Sequence, residues 1–297
     1  MKYIITGGAG HISKPVAEAL LKEGKDVTVV GRNAEHLKEL VAKGAKTAIG
    51  SVDDVDFLKR TFANADVVYT MVPPNFESGN VKEFITSIGK NYAAALTSSN
   101  VKYVVNLSSI GAHLPNGAGP ISAIHYVEES LNKLAGINVK HLRPAYYYQN
   151  LLSNIGLIKQ AGIMGANLKM SEHSFPIVDQ TDIAPVAIEE LLKLDFSGHS
   201  YRYIASDEIG TDDIAAAVGS AIGKPDLKWV PFSDEQALDG MLQAGLPEDI
   251  ASNYAEMHHA ISSGKVMEDY WKHHPEKLGK TKLADFAKTF AAAYNAN

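Results

Sequence analysis

The chain has no cysteine among its 297 residues, which excludes disulfides, zinc–thiolate centres and a thiol nucleophile. No apolar run approaches the ~18 residues of a membrane span. Met1 leads straight into an apolar segment without a basic n-region, so no leader is expected and a cytoplasmic location is. Positive charge is in short supply: 28 Lys and Arg against 34 Asp and Glu give a formal net charge of −6. With no basic cluster, a nucleic-acid surface is not expected. Internal repeats, low-complexity segments and Gly-x-Ser-x-Gly are all missing, and the last absence removes support for that type of hydrolase chemistry. The doublets His258-His259 and His273-His274 offer no i,i+4 pair with carboxylate support, so they read as solvated side chains and no metal site is expected.

What is present is a large apolar fraction, 45% of residues, ample for a core, and a telling first segment. Residues 2–6 form a short β-branched run, and Gly7-Gly8-Ala9-Gly10-His11-Ile12-Ser13 follows at once. A helical pattern through Val16, Ala19, Leu20 and Leu21 comes next, then a second buried strand over residues 27–30 closed by Gly31-Arg32-Asn33. A glycine turn between a strand and a helix lets the backbone approach a pyrophosphate, and the helix N-terminus offers N–H groups and partial positive charge. The end of the second strand is where such a fold reads the adenosine ribose, roughly 20 residues after the turn. An acidic residue there suits a free 2′-hydroxyl. Arg32 suits a 2′-phosphate, so NADP(H) is expected in preference to NAD(H).

The rest of the first half alternates strands and helices. Asn33 caps a predicted helix over residues 34–43, with Leu37, Leu40 and Val41 inward. A third strand at residues 47–49 places Ser51 and Val52 at its C-terminal edge, toward the adenine, and Asp53 or Asp54 caps the next helix. The fourth strand, from residue 65, is predicted to stop at about Val72 because Pro73-Pro74 cannot continue it. Met71, Val72 and Pro73 then wall the middle of the cofactor, with Pro74 toward the substrate. A long amphipathic helix (residues 81–96), a fifth strand ending at Ser108-Ser109, a helix over residues 121–134 and a sixth strand ending at Arg143-Pro144 complete the pattern. Such alternation predicts an α/β fold, a Rossmann-type doubly wound parallel sheet with right-handed crossovers. After residue 150 the pattern breaks into short strands and helices. The predicted organisation is a dinucleotide-binding core over residues 1–150, to which later segments return, and a smaller, mainly helical substrate lobe over 151–297. In the lobe, Asp182 is predicted to open a helix.

These segments resemble the NmrA-like branch of the atypical short-chain dehydrogenase/reductases. The resemblance is carried by Ile5-Thr6-Gly7-Gly8-Ala9-Gly10, Val30-Gly31-Arg32-Asn33, Gly50-Ser51-Val52-Asp53-Asp54, Val104-Val105-Asn106-Leu107-Ser108-Ser109, and His141-Leu142-Arg143-Pro144 with Ala145-Tyr146-Tyr147-Tyr148-Gln149-Asn150. It extends through residues 175–184 to residues 283–287. This branch includes NADPH-dependent quinone reductases, azo and triphenylmethane dye reductases, and non-catalytic redox-sensing regulators. The chain departs from the usual pattern at Ser13, which stands for the third glycine, and at Ser51, where relatives often carry Asp. It lacks the Tyr-x-x-x-Lys pair of the wider superfamily. Tyr126 is followed four residues on by Ser130, and Lys133 lies about 10 Å along the axis at 1.5 Å per residue.

The resemblance implies hydride transfer from NADPH to a small quinone- or dye-like acceptor. Such electrophiles need little general acid help, and orientation supplies much of the acceleration. The alternative it implies is a non-catalytic NADP(H)-sensing regulator. Expected cofactor contacts are Thr6, Gly7, Gly10, His11, Ile12, Arg32, Ser51, Val52, Met71, Val72, Pro73, Ser108 and Tyr146. Ser108, His125 and Tyr126 are the expected catalytic residues, and Pro74, Tyr147 and Asn150 the substrate contacts. Strand alternation predicts Tyr147 buried, with Tyr146 and Tyr148 turned the other way. Lys14 lies within reach of a phosphate or solvated. The partner is a small-molecule acceptor, and the protein a monomer or homodimer.

Overall fold

The computed structural model describes residues 1–296. The first half builds β1 (Lys2–Ile5), α1 (Ser13–Lys22), β2 (Asp26–Gly31), α2 (Lys38–Ala42), β3 (Lys46–Ile49), α3 (Val55–Phe62), β4 (Val67–Thr70), α4 (Val81–Thr97), β5 (Tyr103–Leu107), α5 (Pro120–Asn132) and β6 (Asn138–Pro144). The second half adds β7 (Tyr146–Tyr147), α6 (Ile155–Ala161), β8 (Met164–Ala166), β9 (Phe175–Val178), α7 (Gln180–Lys193), β10 (His199–Ile204), β11 (Asp207–Ile209), α8 (Thr211–Ala221), β12 (Trp229–Pro231), α9 (Asp234–Gln243), α10 (Glu248–Ser262), α11 (Glu268–Lys272) and α12 (Leu283–Ala296). Among the described residues no helix is long and apolar enough to cross a membrane.

Seven strands form one parallel sheet in the order β10-β6-β5-β4-β1-β2-β3. The strand order reverses between β1 and β4, and a doubly wound sheet binds its ligand outside the carboxyl ends at such a point. Its central strands β1, β4 and β5 are largely apolar on both faces, as burial between two helical layers requires. One face packs Val16, Ala17 and Leu20 of α1 and Ile183, Ala187 and Leu191 of α7 against Tyr3, Ile5, Val29 and Tyr69. The other packs Leu58 and Phe62 of α3, Ile85, Ile88 and Tyr92 of α4 and Val127 of α5 against Ile4, Val68 and Val104. Gly89 lets α4 and α5 cross closely, since a Cβ there would sit 2.8 Å from the Val127 Cα. The sheet's seventh strand, β10, comes from the second half and pairs Val139 with His199 through Pro144 with Ile204. Residues beyond 150 thus return to the sheet. The remainder of the second half holds β11-β9-β7 and β12-β8 as small sheets among its helices.

Several local expectations are corrected. The helix after Asn33 is a 3-10 turn, Glu35–Leu37, running into the short α2, and Val41 is exposed. Asn33 accepts from the Glu35 N–H at 2.9 Å. β4 ends at Thr70, two residues before the predicted stop, because the next peptide is captured sideways. The Met71 N–H donates to Thr6 Oγ1 (3.1 Å), and the Met71 carbonyl accepts from the Tyr92 hydroxyl (2.7 Å). Asp179, not Asp182, caps α7 by accepting from the Thr181 N–H at 2.9 Å. Asp182 instead accepts from Ser206 Oγ (2.7 Å) and the Thr281 N–H (2.9 Å), pinning the C-terminal segment to the lobe.

A buried polar chain crosses the sheet near its ligand-binding edge. Thr70 Oγ1 donates to Asn106 Oδ1 (2.9 Å), which turns the Asn106 amide nitrogen to His141 Nδ1 (3.1 Å). His141 Nε2 then donates to Asn132 Oδ1 at 2.9 Å. Each group meets a partner of the right kind only if the imidazole is neutral. Burial pushes the His141 pKa down to about 4.

Candidate functional site

A groove of about 590 Å³ opens at the carboxyl ends of β1, β2, β3 and β4. Its floor is the turn after β1. Gly7 holds φ +65°, and a Cβ on it would lie 2.7 Å from the Met71 sulfur. The turn is closed by Gly8 N–H to the Val30 carbonyl (2.9 Å) and Gly10 N–H to the Gly7 carbonyl (2.8 Å). Behind it, α1 starts with no side-chain cap and no acidic residue in its first turn, so the positive end of its dipole faces the groove uncompensated. At the β2 end, Arg32 and Asn33 line the wall with His36. Ser51, Val52 and Asp53 line the β3 side, and Met71, Pro73, Pro74, Asn75 and Phe84 the opposite one. The groove thus combines a bare backbone turn, an arginine at the end of β2 and largely apolar walls.

The expected contacts distribute as follows. Gly7, Gly10, Arg32, Ser51, Val52, Met71, Pro73 and Pro74 line the groove. Pro74, expected toward the substrate, therefore stands in the same groove as the cofactor contacts. Thr6 lies beneath the turn, fully buried, with its hydroxyl donated to the Tyr69 carbonyl at 3.1 Å. Ile12 is buried at the start of α1, while His11 is exposed. Val72 packs into the cluster on the α3–α4 face of the sheet. Lys14 is committed to an ion pair with Glu39. Ser13, in place of the third glycine, is buried where α1 meets the turn.

The catalytic expectations fall in two places, since the His125 and Tyr126 rings meet edge to face with centroids 5.2 Å apart while Ser108 is turned inward. Ser108 is buried and donates its hydroxyl to Glu128 of α5, which also holds Arg143. It thus faces a structural ion pair rather than an open cleft. Tyr126 lies in the second turn of α5, not at its start, and is 41% exposed. It borders a separate surface hollow with Thr86, Lys90, Glu129, Ser130 and Lys133. His125 holds the loop after β5, its Nδ1 donating to the Ala112 carbonyl at 2.8 Å.

Tyr146 and Tyr147 lie just past the carboxyl end of β6, on the β4 side of the switch point. The alternation predicted for the tyrosine run fails because β7 is only two residues long and a 3-10 helix, Tyr148–Asn154, follows. Tyr148 is the buried one, stacked on Phe286 with ring centroids 4.8 Å apart. Tyr146 and Tyr147 are both partly exposed, and Asn150 is exposed. The Tyr146 ring leans on Phe175, and its hydroxyl meets His258 Nε2 of α10 at 3.3 Å. His258, expected in solvent, is thus turned inward, whereas His259 is exposed and pairs with Asp234. Burial raises the Tyr146 pKa, so the hydroxyl keeps its proton at neutral pH. Burial pushes the His258 pKa down to about 4.

Several groove residues were not singled out from the sequence as ligand contacts: His36, Leu37, Asp53, Asn75 and Phe84. Asp53 is available to it because Asp54 alone caps α3, accepting from the Asp56 and Phe57 N–H groups. The spacing of α4 carries the signal for Phe84, which falls off the buried stripe of Val81, Ile85 and Ile88.

With the cleft in view, its relatives can be compared. Residues 2–287 match the model of the NmrA-like family. The chain belongs to the NmrA-like family. An NAD(P)H azoreductase of Xenophilus azovorans is 25% identical over 297 residues, covering 99% of each chain. The NADPH complex of an NADPH-dependent quinone oxidoreductase from Escherichia coli superposes with a TM-score of 0.81 at 20% identity, covering 97% of this chain and 99% of the other. A Citrobacter sp. triphenylmethane reductase complexed with NADP(H) superposes with a TM-score of 0.79 at 21% identity, covering 98% and 100%. At these identities the two superpositions establish the fold.

Proposed function

We propose that the protein is an NADPH-dependent oxidoreductase that delivers a hydride to a small quinone- or dye-like acceptor lodged between the sheet's carboxyl edge and the C-terminal lobe. The observation that carries this reading is the groove itself, where the left-handed Gly7, the uncapped start of α1 and Arg32 stand in the order a pyrophosphate and a 2′-phosphate require. Gly7 and Gly10 hold the pyrophosphate through the backbone, Arg32 the 2′-phosphate, and Val52, Pro73 and Phe84 the base. The bound nicotinamide supplies the hydride. The chain's part is to fix the acceptor's angle and distance to it and to exclude water. Azoreductase, quinone reductase and dye reductase activities among the relatives support this reading.

Fluorescence titration with NADPH and NADH, followed by a quinone panel with loss of reduced nicotinamide as readout, tests it. Tighter binding of NADPH with turnover is expected. Binding without turnover of any acceptor would overturn the reductase assignment in favour of a redox-sensing regulator, and equal affinity for both nucleotides would overturn the NADP(H) preference.

A further inference from the structure

The hydrogen-bond roles around His258 are determined by its neighbours. The Asn167 amide nitrogen donates twice, to Asp234 Oδ1 at 2.8 Å and to the Ala255 carbonyl at 2.8 Å. Its carbonyl oxygen is therefore the atom 3.3 Å from His258 Nδ1. That nitrogen must carry the hydrogen, so Nε2 is bare and accepts from the Tyr146 hydroxyl. Tyr146 sits just past the carboxyl end of β6, on the nicotinamide half of a doubly wound sheet, and His258 reaches it from α10. Asn150 and Tyr254 are the other polar neighbours of the hydroxyl. The usual Tyr–Lys pair is missing, Ser108 is committed to Glu128 and Tyr126 borders a separate hollow, and of the partly exposed pair Tyr146 and Tyr147 it is Tyr146 whose hydroxyl meets an imidazole.

We infer that Tyr146 is the proton donor to the reduced acceptor and that His258, locked in its Nδ1–H form by Asn167, is the residue that positions it. This inference rests on the reductase reading. The acceptor takes two electrons and one hydrogen as hydride from the reduced nicotinamide, which is left as the oxidised pyridinium. The resulting anion takes the Tyr146 O–H proton as its second hydrogen. The tyrosinate regains a proton from solvent, and the restored O–H again donates to His258 Nε2 while Nδ1–H stays on Asn167. One acceptor, one NADPH and one proton give the dihydro product and NADP⁺. A cationic triarylmethane dye needs only the hydride, since its carbocation becomes a neutral leuco form with no proton added. A quinone needs both. The same site should therefore treat the two substrates differently when the hydroxyl is removed.

The test compares menadione and malachite green as acceptors in wild type, Tyr146→Phe, His258→Phe and His258→Gln, with NADPH affinity read by fluorescence. Tyr146→Phe keeps the ring against Phe175 and should lower kcat for menadione by about 10²-fold, a size usual for one proton-transfer group, with the dye falling far less. His258→Phe should lower menadione kcat about tenfold or more, and His258→Gln, whose carboxamide oxygen can accept from Tyr146, should recover part of it. KM for the acceptor and NADPH affinity should move little in either case. Independently of turnover, ¹⁵N-histidine spectra should show His258 as the Nδ1–H tautomer, perturbed by Tyr146→Phe. Wild-type enzyme that consumes no NADPH with menadione would overturn the reductase reading and this inference with it. Active wild type with menadione and dye equally affected in the variants, or a His258 carrying its hydrogen on Nε2, would overturn the inference alone.

Discussion

Arg143 and Glu128 join side by side inside the protein, Nη2 to Oε2 at 2.6 Å and Nε to Oε1 at 2.9 Å. Both side chains are less than a tenth exposed. Burial opposes the charge on Glu128, yet the Arg143 hydrogen bonds outweigh it and hold the carboxyl below its usual range. Asp269 of α11 takes the remaining Arg143 nitrogen at 3.0 Å, and the guanidinium lies 3.9 Å above the Tyr201 ring of β10. One side chain thus ties β6, α5, β10 and the C-terminal lobe together.

Removing one partner of this pair leaves the other charged and dry, a change that typically costs about 3–5 kcal/mol. Arg143→Met is expected to destabilise by that order in urea unfolding, and the double variant Arg143→Met, Glu128→Leu to regain most of it. A loss below about 1 kcal/mol for the single variant would mean the pair is hydrated and contributes as surface pairs do.

Gly7→Ala places a Cβ against the Met71 sulfur in a left-handed residue, a conformation that costs an L side chain roughly 1–2 kcal/mol. The groove floor must shift, so NADPH affinity should fall at least about tenfold together with the melting temperature. Gly24→Ala is the comparison, because that residue is also left-handed with φ +69° but has open space around its Cβ. It should lose stability and keep NADPH binding. Equal effects of the two changes on binding would contradict the cradle.

Under the proposed assignment, Arg32→Asp exchanges a 2′-phosphate partner for one suited to a 2′-hydroxyl. A hydrogen-bonded charge contact of about 1.5–3 kcal/mol corresponds to a roughly 10–100-fold loss for NADPH, with NADH changed little or improved. Parallel titrations decide this, and equal losses for both nucleotides would remove Arg32 from the phosphate site.

His141 and His258 are both held neutral by burial, each with a pKa pushed down to about 4. The unfolded chain binds these two protons near pH 6.5 and the folded one only near pH 4. Between those values the unfolded state carries more protons, so stability falls as pH drops through the window and is retained above it. Melting temperature against pH should decline from about 6.5 downward, before the carboxylates titrate. The decline should be shallower in His141→Gln. A profile flat down to pH 5 would show that both imidazoles charge freely in the fold.

The order of elements from β1 to β6 was legible because the central strands are buried apolar runs and the helices carry apolar stripes, with Asp54 and Asn80 capping α3 and α4. The cradle was legible too, since only glycine spacing sets a backbone open to a phosphate. Pairings between distant side chains were not. Nothing local to Ser108 tells that Glu128, twenty residues on, claims its hydroxyl with Arg143. His258 was misjudged although a signal existed. Ala251, Tyr254, His258 and Ile261 repeat at i, i+3, i+7 and i+10, which puts His258 on the inner stripe of α10 and His259 off it. The doublet hid that periodicity. The capping position of α7 was missed because Asp179 and Asp182 both suit a cap, and only the tertiary pull of Ser206 and Thr281 on Asp182 decides between them.

The late arrival of β10 bears on how the chain is born. During translation β6 emerges with one edge unpaired, and its neighbour follows only after α7, which also covers part of the sheet, has been made. A nascent chain paused near residue 150 carries the whole nucleotide cradle and still shows an open strand edge and a bare apolar face to its surroundings. All the residues that line the groove are therefore made before the strand that closes the far edge of the sheet.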